Sequence, residues 1–208
     1  MAHLENAVIV NAIMRQALVA AQEVMGENGL NAVLRASDLE KYVGNFPSDN
    51  LEPAIQTVQY ARFNQAIEDF YGRGGKGMLR RIGRASFQYG VREQAALLGV
   101  AGVALKLLPE KQRIKFILNG LADALRKSNP QVHIWLDEGG ERIAYLEDTC
   151  GVCHSRKSDQ PICHLYVGSI SEAVQWATGK PHEIIETHCM AKGDEYCRFE
   201  VGEVTADA

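Results

Sequence analysis

The most informative part of the sequence is the stretch Cys189–Phe199, which reads Cys-Met-Ala-Lys-Gly-Asp-Glu-Tyr-Cys-Arg-Phe. A turn centred on Gly193-Asp194 separates two short segments of strand-like composition, and this pattern predicts a β-hairpin. Because the two arms of a hairpin lie side by side, the thiols of Cys189 and Cys197 should stand close together. Two thiolates presented in this way supply half of a tetrahedral metal site.

The distribution of the cysteines extends this interpretation to a larger cluster. The first 149 residues contain no cysteine, and the five that follow are Cys150, Cys153, Cys163, Cys189 and Cys197. The N-terminus lacks a basic segment followed by an apolar one, so no secretory signal is predicted and a cytoplasmic location is expected. Thiols stay reduced in that compartment, and a cluster of them therefore indicates metal binding or redox chemistry.

Two residues are further candidates for the same site. Cys163 directly precedes a predicted helix over residues 164–178, and a helix N-terminus favours the thiolate form that binds metals. Glu186 lies three residues before Cys189. In a regular strand these two side chains would point to opposite faces of the sheet, so a shared site requires a bulge between them.

Cys150 and Cys153 form a Cys-x-x-Cys pair in a predicted polar loop over residues 147–162. This spacing is typical of zinc knuckles and of redox pairs. Together with His154, the pair also matches the attachment string of c-type haem, but covalent haem requires export, for which no signal is predicted. The spacing alone leaves open whether the pair binds a metal, cycles between thiol and disulfide, or packs in the core.

The period of the apolar residues divides the chain into a helical N-terminal half and a C-terminal half built on a sheet. Helical spacing predicts helices over residues 4–25, 53–72, 75–90, 92–108 and 109–128, with a short helix and a loop between residues 30 and 52. Alternating spacing predicts hairpins over residues 132–146 and 183–201. Since helix 164–178 lies between the hairpins, we expect an α+β fold with a mainly antiparallel sheet. We divide the chain into a helical arm (1–52), a ligand-binding domain with the cysteine site (53–201) and a disordered tail (202–208).

Composition and charge narrow the classes of partner. Apolar residues make up 46% of the 208 residues and charged residues 23%, which is ordinary for a globular protein. The formal net charge of -4 lacks the basic bias of a nucleic-acid-binding surface. The sequence contains no run of 18 apolar residues, so no membrane span is predicted. We therefore expect neither nucleic acid nor a membrane among the partners.

Two segments, Ser158–Cys163 and Glu186–Phe199, together resemble the 4-vinyl reductase family of small-molecule-binding domains. The motifs that carry the resemblance are a Pro-x-Cys ending at Cys163 and a Cys-x4-Asp-x2-Cys-x-Phe beginning at Cys189. The family is named after a protein proposed to act in bacteriochlorophyll synthesis. It also includes the sensor domains of transcription activators that respond to phenols and other aromatic compounds.

The resemblance implies both a fold and a metal site. The implied fold is similar to that of haem-based nitric oxide sensors and vesicle-tethering subunits, in which helices and an antiparallel sheet enclose a pocket, commonly in a homodimer. The implied metal is a structural zinc, and its ligands would be Cys163, Cys189, Cys197 and Glu186. Because this chain also contains Cys150 and Cys153, one of these thiolates could replace Glu186, or the cysteines could bind an iron–sulfur cluster.

These patterns favour a small-molecule-binding regulatory or accessory protein over an enzyme. We find no convincing Ser/His/Asp arrangement and no nucleotide fingerprint, so no catalytic residue is predicted. The expected ligand is a small hydrophobic or aromatic molecule, such as a hydrocarbon sensed by its fit to an apolar pocket. The candidate pocket residues are Phe63, Phe87, Phe116, His133, Trp135 and Tyr145. Two alternatives stay open: an enzyme or accessory factor in (bacterio)chlorophyll or tetrapyrrole metabolism, and an iron–sulfur redox or sensing module.

Overall fold

The computed structural model describes residues 7–93, 105, 107–129 and 131–205. In chain order the elements are β1 (Val8–Val10), α1 (Asn11–Ala36), β2 (Pro53–Gln56), α2 (Thr57–Tyr71), α3 (Gly75–Glu93), α4 (Glu110–Ser128), β3 (Ile134–Asp137), β4 (Ala144–Glu147), α5 (His164–Thr178), β5 (His182–His188) and β6 (Cys197–Val204). Short 3₁₀ turns lie at Glu40–Tyr42, Gly72–Gly74 and Met190–Lys192. The helix predicted over residues 92–108 falls largely outside the described residues.

The larger sheet is antiparallel throughout and has the strand order β3-β4-β6-β5. Strands β3 and β4 form the first predicted hairpin, and β5 and β6 form the second. The two hairpins join through β4 and β6, where Tyr145 lies opposite Phe199. Helix α5 connects the hairpins, so the predicted α+β fold with its antiparallel sheet is confirmed.

Helices α3 and α5 approach so closely that their backbones touch. A Cβ atom added to Gly83 would lie 2.0 Å from the carbonyl oxygen of Leu165, and one added to Gly168 would lie 2.1 Å from that of Arg80. The Ser169 hydroxyl donates a hydrogen bond of 2.9 Å to the carbonyl of Gly83. Because glycine alone leaves room for this contact, two glycines fix the position of α5 and of the loop that precedes it.

The N-terminal residues share one hydrophobic core with the rest of the described chain. Strand β1 pairs antiparallel with β2, and Ile9 lies opposite Ile55. Helix α1 packs against α2 and α3, and its side chains Met14 and Leu18 are fully buried. None of the described helices is long and apolar enough to cross a membrane.

Several predicted boundaries were wrong at the N-terminal side. Residues 8–10 form a strand where we expected the first turns of a helix, and Pro53 lies in β2, so helix α2 begins only at Thr57. Proline is tolerated at the first residue of a strand, where no N–H is needed for the ladder. Gly26 does interrupt α1, with φ 77° and ψ 161°, but helical structure resumes beyond it. At the other end, β6 continues to Val204, past its expected end at Val201.

Candidate metal centre and cavity

All five cysteines meet in one buried cluster, and all five are free thiols. The Sγ atom of Cys163 lies 3.5 Å from that of Cys150 and 3.8 Å from those of Cys189 and Cys197. The Sγ atoms of Cys153 and Cys197 are 3.5 Å apart. Sulfur atoms at these spacings can share a metal ion. The structure therefore brings together every cysteine that the sequence singled out.

The possible ligand atoms form two sets of four. The first set is Cys150, Cys153, Cys163 and Cys197, and the second is Cys163, Glu186, Cys189 and Cys197. Within each set all ligand atoms lie within 4.8 Å of one another. Both sets contain Cys163 and Cys197, so the two sets have one pair of sulfur atoms in common.

The ligands are presented where elements begin and end. Cys163 is the N-cap of α5, and Cys197 is the first residue of β6. Cys189 follows the last residue of β5. The register of β5 against β6 shifts between Glu186 and His188. This irregularity is the bulge that Glu186 needs to face the same side as Cys189.

Glu186 is tied to the cluster through its carboxylate. Its Oε2 accepts a hydrogen bond of 2.8 Å from the backbone N–H of Cys163, and its Oε1 is buried without a hydrogen-bond partner. Burial, and then the charge of Cys189, raise the pKa of this carboxyl to about 9. A buried carboxyl oxygen without a partner is costly, and coordination to a metal ion would remove that cost.

The thiols differ in how readily they ionise. The pKa of Cys153 is lowered to about 6, because the opposing effect of Cys150 is outweighed by hydrogen bonds from Cys163, Cys189 and Cys197. The pKa of Cys189 is also lowered to about 6, because the opposing effect of Cys153 is outweighed by hydrogen bonds from Cys163 and Cys197. Burial raises the pKa of Cys163. Each set of four thus contains at least one thiol that ionises readily without a metal.

Two backbone contacts shape the last hairpin around the cluster. Asp194 accepts a hydrogen bond of 2.8 Å at Oδ2 from the N–H of Cys189. The N–H of Met190 points at the Sγ of Cys197 from 3.4 Å. Sequence reasoning missed Asp194, although its place in the Cys-x4-Asp-x2-Cys motif was a usable signal. Its role is to hold the hairpin turn in the shape that directs both thiols inward.

Arg156 fastens the Cys-x-x-Cys loop to helix α2. Its guanidinium donates to Gln65 at 2.9 Å, to Glu68 at 2.5 Å and to the carbonyl of Val152 at 3.2 Å. The Arg156 side chain is only 7% exposed. Burial raises the pKa of Glu68, and Arg156 opposes this shift. Sequence reasoning missed Arg156 because its partners lie far away along the chain.

A separate apolar cavity of about 390 Å³ lies between helices α1, α3, α4 and α5. Most of the described lining is aliphatic or aromatic, and its polar side chains include Gln16, Ser86 and Ser169 besides tyrosine. Tyr60, Tyr145 and Tyr166 also line it. Burial is the main cause that raises the pKa of all three tyrosines. The described residues that line the cavity include no histidine, cysteine or methionine.

The candidate pocket residues lie in different places. Phe87, Phe116 and Tyr145 line the cavity, and Phe116 is 46% exposed. Phe63 is fully buried in the core but is not part of the lining. His133 is exposed, with its ring nitrogen 3.5 Å from Asp148. Trp135 packs edge-on against Tyr196, away from the cavity.

The cavity and the cysteine cluster are neighbours. A Cβ added to Gly151, inside the Cys-x-x-Cys loop, would lie 3.5 Å from the Tyr60 ring. The rings of Tyr145 and Tyr166 lie 6.4 Å and 6.1 Å from the ring of Phe199, measured between centroids. Phe199 follows Cys197 by two residues on β6. The three tyrosines of the lining therefore lie next to the segments that carry the thiols.

Residues 148–203 match the family model of the 4-vinyl reductase domain, which confirms the resemblance to that family for this segment. Two uncharacterized proteins of Methanocaldococcus jannaschii are related to parts of the chain. MJ0745 is 35% identical over 54 residues, which cover 26% of this chain and 30% of that protein. MJ0150 is 31% identical over 85 residues, which cover 40% and 49%. The matched parts span less than half of either relative.

The fold is that of H-NOX proteins. An Fe(II) unliganded H-NOX protein from K. algicida superposes with a TM-score of 0.63 at 13% identity, over 95% of this chain and 98% of that one. An H-NOX protein from S. oneidensis in the Fe(II)NO state gives 0.56 at 14% identity, over 93% and 100%. An oxygen-binding H-NOX domain related to soluble guanylate cyclases gives 0.56 at 11% identity, over 93% and 93%.

Proposed function

We propose that this chain, which carries a 4-vinyl reductase segment on an H-NOX fold, binds a small hydrophobic or aromatic molecule as a regulatory or accessory protein. The observation that carries the proposal is the cavity of about 390 Å³ with its mostly apolar lining. Pockets for small molecules have volumes of this order and combine apolar walls with a few polar groups. Phe87, Phe116 and Tyr145 would contact the ligand.

The tyrosines would supply the polar contacts. Tyr60 and Tyr145 are buried, and with Tyr166 they belong to the lining. A phenolic hydroxyl both donates and accepts hydrogen bonds, and a buried hydroxyl favours a partner. A mostly apolar ligand with one oxygen or nitrogen atom would form a hydrogen bond to a tyrosine hydroxyl and pack against the apolar side chains of the lining.

Haem, which the H-NOX neighbours would suggest, does not fit this lining. Haem iron takes its protein ligand from histidine, cysteine, methionine or tyrosine. Of these, the described lining offers only tyrosine, and burial raises the tyrosine pKa values, which disfavours the phenolate that binds iron. Among the residues outside the described part, 94–104 contain none of the four types, and residues 1–6 include Met1 and His3. On the described lining, we propose an organic ligand without iron for the cavity.

The metal of the cysteine cluster is proposed to be zinc with a structural role. Zn–S bonds of about 2.3 Å in a tetrahedron place neighbouring sulfur atoms about 3.8 Å apart. Four pairs of Sγ atoms here are 3.5–3.8 Å apart, which supports thiolates that bind a common zinc ion. In a [4Fe–4S] cluster each thiolate binds its own iron, so the sulfur atoms of the ligands lie farther apart. Zinc would fasten the last hairpin to α5 and so stabilise the fold.

Binding of an uncharged apolar fluorophore tests the proposed cavity. We expect N-phenyl-1-naphthylamine to bind the folded protein saturably, with one site per chain and a blue-shifted emission. Decanol should displace it, because both molecules are apolar and fit a cavity of this volume. Emission that rises linearly without saturation, or that decanol leaves unchanged, would contradict the proposal.

An absorption spectrum with elemental analysis tests the choice of metal. Untagged protein purified without oxygen should contain zinc and show no absorbance in the visible range, because Zn²⁺ is a d¹⁰ ion. Iron with inorganic sulfide and a visible absorption band would overturn the structural zinc and support the iron–sulfur alternative.

A further inference from the structure

We propose that the cysteine cluster is a binuclear centre, in which Cys163 and Cys197 bridge two metal ions. This inference rests on the thiolate-held zinc proposed above and goes beyond it in the number of ions. One ion would be completed by Cys150 and Cys153. The other would be completed by Cys189 and Glu186.

The two sets of ligand atoms have two sulfur atoms in common, as two tetrahedra that share an edge would. Each set of four is compact, with all its ligand atoms within 4.8 Å of one another. The common edge is the pair Cys163 and Cys197, whose Sγ atoms are 3.8 Å apart. This equals the edge of about 3.8 Å that a zinc–thiolate tetrahedron requires. Six protein ligands with two of them shared give each ion four ligands.

A single ion would leave some of the buried ligand atoms without a metal. If it occupied the set that contains Glu186, the thiols of Cys150 and Cys153 would stay in the core, where each is at most 2% exposed. If it occupied the set that contains Cys150, the unpartnered Oε1 of Glu186 would stay unpartnered. Buried polar groups without partners are costly. Two ions use all six groups.

The charges also favour two ions. With all five thiols and Glu186 ionised to bind metal, the cluster would carry six negative charges. Two divalent ions offset four of these charges, whereas one ion offsets only two. Uncompensated charge in the interior is strongly unfavourable. Two bound ions therefore stabilise the ionised ligands more than one ion does.

The number of zinc ions per chain tests this proposal directly. Untagged protein, refolded with excess zinc and then dialysed, should retain two zinc ions per chain, and X-ray absorption should show scattering from a second zinc next to the first. One tightly held zinc per chain without zinc–zinc scattering would overturn the binuclear centre and leave the structural zinc intact. Iron with sulfide would overturn both. The distant histidine variant His133→Ala should also keep two ions, which controls for zinc held at the surface.

Paired variants test the assignment of ligands to each ion. Cys150→Ser with Cys153→Ser should lose one of the two ions, and Glu186→Gln with Cys189→Ser should lose the other. Either double variant should keep one zinc and lose the zinc–zinc scattering. If either double variant kept both ions, the assignment would be overturned. Should a variant fail to fold, the wild-type protein loaded with ¹¹³Cd decides, because two bridged ions give two coupled resonances and one ion gives a single resonance.

Discussion

Arg156 illustrates how one side chain positions the Cys-x-x-Cys loop from outside the metal centre. It is buried between Glu68 and Gln65 on α2 and the carbonyl of Val152 in the loop. Removing one partner of such a pair leaves the other charge in a site of low polarity. The loop would then lose its hydrogen bonds to Gln65 and Glu68 on α2.

We predict that Arg156→Gln lowers the free energy of unfolding by about 2–4 kcal/mol, because Glu68 loses its buried partner. The same change should speed the loss of zinc to a chelator. Chemical denaturation and a colorimetric chelator assay measure the two effects. The control is Arg62→Gln, which changes an exposed arginine on α2, the helix that carries Glu68. For this variant we expect a change in the free energy of unfolding within about 0.5 kcal/mol. Equal effects of the two variants would contradict the role of Arg156.

The sequence alone identified most of the thiolate cluster but not its supports. Five cysteines in one segment and the helix start after Cys163 are local patterns, and the requirement for a bulge beside Glu186 follows from strand geometry. The contacts of Arg156 join residues 88 and 91 positions apart. No periodicity records such a contact, because it exists only once the loop has docked on α2.

At the scale of elements, the contact between α3 and α5 carries the geometry of the cluster. Gly83 and Gly168 let the two helix backbones touch, and α5 begins at the residue after Cys163. A side chain at either glycine would push the helices apart. The N-terminus of α5 would then move relative to the hairpin that carries Cys189 and Cys197.

We predict that Gly168→Ala destabilises the protein by about 1–3 kcal/mol, because its Cβ would overlap the Arg80 carbonyl and the helices must separate. Gly120→Ala on α4 should instead stabilise it by up to about 1 kcal/mol, since a Cβ there meets nothing within 4 Å and alanine favours helix. Urea denaturation of both variants provides the measurement. A neutral Gly168→Ala would show that the helices are not in backbone contact.

Helices and strands could be predicted where a long segment kept one period of apolar residues. The predictions failed where pairing with a distant segment determined the local structure. Helix α5 and the two hairpins follow from periodicity and turn residues. Pro53 was misassigned, since proline opens helices and strands alike, and only the partner Val10 decides between them. Residues 8–10 became a strand for the same reason, because β1 exists only by pairing with β2.

At the scale of the whole molecule, the cavity and the metal centre occupy one core. The described lining comes from β1, helices α1 to α5, β4 and Leu51, so no single stretch of sequence predicts it. Aromatic residues were reasonable candidates for the cavity lining. In the sequence, however, Phe63 and Trp135 look no different from Phe87, and they do not line the cavity. Only the packing of the helices separates a lining residue from a core residue.

We predict that removing the metal lowers the melting temperature of the protein and loosens its C-terminal part. Thiolate–metal bonds contribute folding free energy that the bare thiols cannot replace. Circular dichroism with and without a strong chelator measures the melting temperature, and hydrogen exchange shows which segments lose protection. We expect the loss to be concentrated in residues 148–203. An unchanged melting temperature in protein shown to be free of metal would contradict a structural role.

The central claim, that this protein holds a small apolar ligand in its cavity, is tested most directly by a matched pair of glycine variants. Gly120 lines the cavity and Gly77 on α3 does not, and a Cβ at either position meets nothing within 4 Å. We predict that Gly120→Leu weakens the binding of N-phenyl-1-naphthylamine at least tenfold while it preserves or raises stability, because leucine fills the cavity and favours helix. Gly77→Leu should leave binding unchanged. Equal binding by both variants would show that the probe lies elsewhere and would contradict the account.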